Sequence, residues 1–197
     1  MPWPVRIRAV VFDMDGTLVE SQLDYVAMKR DMELPPDEPV LESLARIEDP
    51  ARLARCHEVL AVHERRGAEA AFWIDEAEEL LESLLAADLR LGIVTRNSRA
   101  ASELVLTRLG CPIRDVMTRD DAPHKPDPAA ILKLCHQWTI PPEECVMVGD
   151  YLFDILAGRG AGCGTVLYAP RERPDYAHEA DHVVPRLGDI NRLVRGG

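Results

Sequence analysis

Residues 5–16 read VRIRAVVFDMDG, and the fold is decided there. Val5 to Arg8 alternate in polarity, Ala9 to Phe12 are all apolar, and the run stops at the carboxylate of Asp13. Such a run fits a strand buried on both faces of a parallel sheet. The strand empties into Asp13-Met14-Asp15-Gly16-Thr17-Leu18, which places two carboxylates at positions i and i+2 where its carboxyl end faces a ligand crevice. Close carboxylates repel and raise each other's pKa unless a cation lies between them. A hard divalent ion held by oxygens relieves that repulsion, and Mg²⁺ suits phosphate chemistry. Gly16 lets the chain turn sharply and approach a ligand. Read alone, the same residues equally describe an Asp-Gly turn that ends a strand.

Outward from this point, further strands are expected at Leu89 to Thr95, Arg114 to Thr118, Cys145 to Val148 and Cys163 to Tyr168, with a short edge strand at His182 to Val184. Helical spacing lies between them. Asp75 to Ala87 opens with acidic residues and carries one apolar face. Ser98 to Leu109 stops at Gly110, and Asp127 to Trp138 begins with Asp at the N-cap and Pro at the first helical position. Strands alternating with helices imply right-handed crossovers and an α/β, doubly wound, Rossmann-like parallel sheet.

Between the first strand and the Asp75 helix the pattern is helical without strand character. Leu23 to Met32, Glu38 to Ile47 and Pro50 to about Ala71 read as helices. An insertion at the carboxyl end of a parallel strand lies over the ligand crevice. The expected organisation is therefore a core of residues 1–18 and 75–197, with a small α-helical cap, 19–74, inserted after the first strand.

The chain has 197 residues, 47% hydrophobic and 29% charged, which is ordinary for one globular α/β unit. Its formal net charge of -11 argues against sequence-independent binding of nucleic acid, which needs clustered Lys and Arg. No stretch approaches the roughly 18 consecutive apolar residues of a membrane span. The start lacks a secretory signal pattern, so a cytoplasmic protein is expected. Five cysteines without a CxxC pair suggest buried, reduced thiols rather than a disulfide framework.

Three more strand ends carry polar groups. Thr95-Arg96-Asn97-Ser98 precedes a helix, where hydroxyl, amide and free backbone N–H groups form a phosphate cradle, or simply cap the helix. His124-Lys125-Pro126-Asp127-Pro128 places one of only three lysines in a stiff loop, where an ammonium can neutralise a phosphate or remain a solvated surface charge. Val148-Gly149-Asp150 is followed by Asp154 one helical turn on; Asp150 as N-cap and Asp154 as a favourable first-turn acid is the structural alternative to metal ligation.

Together, VVFDMDGTLV (10–19), IVTRN (93–97), HKPDP (124–128) and VMVGDYLFD (146–154) form an ordered set that resembles the haloacid dehalogenase superfamily, in its phosphoglycolate-phosphatase-like subgroup with a small C1-type cap. The resemblance spans the whole core. It implies that Asp13 is a nucleophile and Mg²⁺ ligand, and that Asp15 is the general acid and base whose backbone carbonyl binds the metal. It also implies that Thr95 and Lys125 hold phosphate, with Arg96 and Asn97 beside them, and that Asp150 and Asp154 complete the metal set. Family dehalogenases lack the second carboxylate, so the pair favours P–O chemistry on a small phosphorylated metabolite by a monomer or homodimer. A hexose-phosphate mutase and a receiver-like phospho-acceptor are the rival readings. The arginines of the inserted segment, Arg30, Arg46, Arg52, Arg55, Arg65 and Arg66, are expected chiefly on a solvated helix face with Glu58, Glu64 and Glu69.

Overall fold

The computed structural model describes Trp3 and residues 5–195. Six strands form one sheet: β1 (Ala9–Phe12), β4 (Arg90–Val94), β5 (Asp115–Met117), β6 (Cys145–Gly149), β7 (Gly164–Tyr168) and β8 (His182–Val184). Their order is β5-β4-β1-β6-β7-β8, and every adjacent pair is parallel. β1 is central, with Phe12 in register with Ile93 on one side and Val148 on the other. Backbone bonding reaches back only to Arg8, whose own side chain turns outward to Glu144. The first strand is therefore shorter than the alternation from Val5 suggests, because neighbouring strands extend no further.

Successive side chains of a strand point to opposite faces, and the sheet divides its apolar residues accordingly. Val10, Phe12, Ile93, Val146 and Val148 pack with α4 (Ala77–Ala86), α5 (Arg99–Arg108) and α8 (Asp189–Arg195). Ala9, Val11, Val94 and Met147 pack on the other face with α6 (Ala129–Trp138) and α7 (Leu152–Ala161). Helices on both faces of a parallel sheet make the doubly wound α/β fold that the sequence implies. All five cysteines are free and buried.

Local details differ. Pro128, not Asp127, occupies the N-cap of α6, although the Asp127 Oδ1 still accepts from the Ala129 N–H at 2.8 Å. The cap of α7 is Tyr151 rather than Asp150. The polar stretch after β7 includes a short 3₁₀ turn at Asp175–Glu179.

The helical insert contains α1 (Tyr25–Asp31), α2 (Val40–Leu44) and α3 (Pro50–Ala70). Asp24 and Asp49 cap the first and third by accepting from Ala27 and Ala51 N–H groups. Met28, Met32, Leu34, Val40, Leu44, Cys56 and Leu60 form an apolar cluster of their own. The insert leaves and rejoins the sheet unit through two short antiparallel strands, β2 (Val19–Glu20) and β3 (Phe72–Trp73), where no strand is expected from the sequence. Two-residue strands are too short for any periodicity to show. Among the described residues, no helix is long and apolar enough to cross a membrane.

Candidate active site

Asp13 directly follows the central strand, and its backbone N–H still donates to the Val148 carbonyl at 2.8 Å. This anchors its carboxylate at the carboxyl edge of the sheet, between the loops that leave β4 and β6. Lys125, 1% exposed, reaches in from the loop before α6. Its Nζ lies 2.5 Å from Asp13 Oδ1 and 2.6 Å from Asp154 Oδ1. Burial opposes the ammonium, but the two carboxylates outweigh it and raise its pKa above the usual value.

Asp13, Asp150 and Asp154 bring carboxylate oxygens within 4.8 Å of one another. Burial pushes the Asp13 carboxyl well up, with Lys125 pulling the other way. Burial, with the Asp154 charge adding to it, pushes Asp150 up to about 7. Asp150 is not spent on capping α7: its Oδ1 meets only a 3.3 Å donation from the Thr17 hydroxyl. Asp154 does cap, accepting from the Tyr151 N–H at 3.0 Å, while its other oxygen meets Lys125. Three converging carboxylates against one ammonium leave surplus negative charge among hard oxygen donors. That donor set fits a divalent cation such as Mg²⁺.

Glycines make this convergence possible. A Cβ on Gly149 would overlap the Asp154 side chain, and one on Gly16, where φ is +81°, would overlap the Asp150 carboxylate. Both positions therefore admit no side chain while the carboxylates stay where they are.

Asp15 lies across the same pocket. The Asn97 amide donates to its Oδ2 at 2.5 Å, while its Oδ1 is buried without a protein partner. Burial raises this carboxyl to about 6 against the opposing hydrogen bonds of Ser21 and Asn97. Thr95 is buried at the end of β4, where its Oγ1 accepts from the Asn97 N–H at 3.2 Å. Asp13, Asp15, Thr95, Lys125, Asp150 and Asp154 thus line one cavity of about 440 Å³.

Arg96 and Asn97, expected beside a phosphate, have other partners. Arg96 forms a two-pronged ion pair with Glu42 of the insert at 2.8 and 2.6 Å, donates to the Lys125 carbonyl, and lies 4.6 Å from the Phe153 ring centroid. Asn97 positions Asp15. None of the six arginines of the insert lines the cavity; Arg30, Arg46 and Arg65 pair with Asp31, Glu38 and Glu69. Glu64 departs from the solvated face expected of it. It is buried, pairs with Arg119 and accepts from the Ser98 hydroxyl at 2.7 Å. Sequence reasoning also passed over Glu42, Thr17 and Tyr176, whose hydroxyl donates to the Asp150 carbonyl at 3.3 Å. Thr17 stands inside the first motif and was findable there; the other two have no local signal.

The family model for haloacid dehalogenase-like hydrolases matches residues 7–162. A haloacid dehalogenase-like hydrolase domain-containing protein of Arabidopsis thaliana is 31% identical over 96% of this chain and 84% of its own length. A phosphoglycolate phosphatase of Nitrosospira multiformis is 30% identical over 99% of both chains. The crystal structure of a hydrolase from Pseudomonas syringae superposes with a TM-score of 0.79 over 98% of this chain and 99% of that one, at 24% identity, a likeness of fold alone. With the match covering β1 to β6, the insert and all four strand-end loops, this chain belongs to the haloacid dehalogenase-like hydrolases.

Proposed function

We propose that this protein is a Mg²⁺-dependent phosphatase that hydrolyses a small phosphorylated metabolite through an aspartyl-phosphate on Asp13. One observation carries the reading: the Asp13 carboxylate is held between Lys125 and the Asp150–Asp154 pair, with a second carboxylate, Asp15, across the same cavity. The phosphatase name of the Nitrosospira relative supports the reaction class. Residues 19–74 act as a cap over a core of residues 1–18 and 75–197; their separate apolar cluster and two-stranded stem support that division.

In the first step an Asp13 carboxylate oxygen attacks phosphorus and the bond to the substrate's alcohol oxygen breaks. Asp15, protonated to a useful extent near neutral pH with its carboxyl at about 6, gives its proton to the departing oxygen. In the second step Asp15, now a carboxylate, takes a proton from water as that water attacks the phosphoryl group. The bond to Asp13 breaks and inorganic phosphate leaves. Asn97 keeps Asp15 aimed at the reacting oxygens through its 2.5 Å hydrogen bond. Lys125 and the Thr95 hydroxyl hold the phosphoryl oxygens. Asp13, Asp150, Asp154 and the Asp15 backbone carbonyl would hold Mg²⁺, which would supply charge neutralisation for the transferring group.

The test is release of phosphate from para-nitrophenyl phosphate with Mg²⁺ or EDTA, by the parent protein and by Asp13→Asn. Loss of the nucleophile is expected to lower kcat by about 10⁴-fold or more, and EDTA to abolish release. Unchanged turnover by a well-folded Asp13→Asn protein rejects the mechanism.

A further inference from the structure

We infer that the ester cleaved here carries an uncharged, partly apolar alcohol, and that the Glu42–Arg96 ion pair excludes alcohols bearing a carboxylate. This rests on the phosphatase reading and concerns the half of the cavity that the chemistry does not use.

Every cation lining that cavity, among the described residues, is already engaged. Lys125 lies between Asp13 and Asp154. Arg96, whose side chain is 22% exposed, is neutralised by Glu42 and covered on one face by Phe153. Lys29 donates to the Pro36 carbonyl at 2.6 Å, on a wall that also presents Asp37 and Glu38. The insert also meets the cavity with Leu23, Met28, Val40, Leu41 and Leu60, and with the Glu64 carboxylate, which is paired to Arg119. Tyr25 and Phe153 add aromatic surface. A wall of this kind gains from burying apolar area, and a substrate carboxylate entering it meets the Lys29 ammonium only together with the carboxylates of Asp37 and Glu38. A carboxylate entering beside Arg96 would compete with Glu42, and like charges brought together across a binding surface are strongly unfavourable. The cavity, at about 440 Å³, has room for a phosphate and an alcohol of aromatic-ring size. Arg96 is thus a latent carboxylate receptor, masked by one side chain of the insert.

The experiment measures kcat/KM, with Mg²⁺ present, for 4-carbamoylbenzyl phosphate and 4-carboxybenzyl phosphate, which differ in charge but hardly in shape or leaving group. It includes 2-phosphoglycolate as a small carboxylated ester. The parent is expected to favour the carbamoyl ester by about tenfold or more. Glu42→Gln, which keeps the shape and frees Arg96, is expected to narrow that preference severalfold, chiefly through KM for the carboxylated ester. A mere loss of folding would lower both esters together and leave the ratio fixed. Equal turnover of the two benzyl esters by the parent, or a preference for 2-phosphoglycolate over both, overturns the inference while leaving the phosphatase reading intact. A ratio unmoved in Glu42→Gln overturns the part given to the ion pair. No release from any ester overturns both readings.

Discussion

The two walls of the cavity handle charge in opposite ways. On the sheet side, Asp13, Asp150 and Asp154 are packed around a single ammonium, leaving a net negative cluster in a buried place. On the insert side, Glu42 neutralises Arg96, which reaches across from the loop after β4, and Leu23, Met28, Val40, Leu41 and Leu60 face the cavity. A buried, unbalanced cluster is costly unless a ligand completes it, so the sheet wall carries a standing demand for a cation. A balanced, apolar wall makes no such demand and discriminates by what it declines to bind. On the proposed reading, the chemistry and the selectivity of one cavity rest on different physics and different parts of the chain.

The hardest test of this contrast is Lys125→Met. Removing the one cation between two buried carboxylates is expected to destabilise the fold by about 3–5 kcal/mol and to abolish turnover, both read by denaturant unfolding and phosphate release. Parent-like stability would mean that the cluster is not electrostatically frustrated, and the contrast would fail. Gly149→Ala is a milder probe of the same wall. Its Cβ would displace Asp154, so a loss of about 1–3 kcal/mol in stability and about tenfold or more in Mg²⁺ affinity by calorimetry is expected.

The smallest effect belongs to the other wall. Burial alone would raise the Glu42 carboxyl, but the Arg96 hydrogen bonds outweigh it and hold its pKa below the ordinary range. A carboxyl depressed on folding stabilises at and above its unfolded value, about 4.3, and that contribution disappears as pH falls through the lower folded value. At pH 7, Glu42→Gln should therefore be less stable than the parent by about 1 kcal/mol or less for so partly exposed a pair. Unfolding curves taken from pH 7 downward should converge below about pH 4. A difference that persists undiminished in acid would show that the pair acts through packing rather than charge.

Three of the four motifs sit where a strand stops, while Lys125 follows the end of β5 by eight residues. Asp13 and Asp15 follow an apolar run, and Asp150 follows Val146-Met147-Val148-Gly149, so covalent connectivity carries them to one edge of the sheet. Helix limits were legible to within a few residues from capping chemistry: Ser98 caps α5, accepting from Ala101 N–H at 3.3 Å, and Asp49 caps α3. Asp127 misled by one position because Asp and Pro in succession suit either of two adjacent cap registers. The stem strands, only two residues long, left no readable trace, and the C-terminal helix α8 offers little more than one i, i+4 apolar pair, Ile190 and Val194.

By itself, then, the sequence determined the doubly wound sheet, the helical insertion and which carboxylates meet at the sheet edge, because period, capping and motif position are properties of neighbouring residues. Tertiary structure alone decided what the charged groups meet. Arg96 and Glu42 are 54 positions apart, and so near-matched in distance are Glu64 and Arg119, at 55. No local pattern says that Arg96 turns to the insert rather than to a phosphate, or that Glu64 leaves a helix face rich in arginine to be buried against the core. Those choices follow from how two separately packed apolar clusters come together, since an ion pair across that junction forms only where both have already been placed.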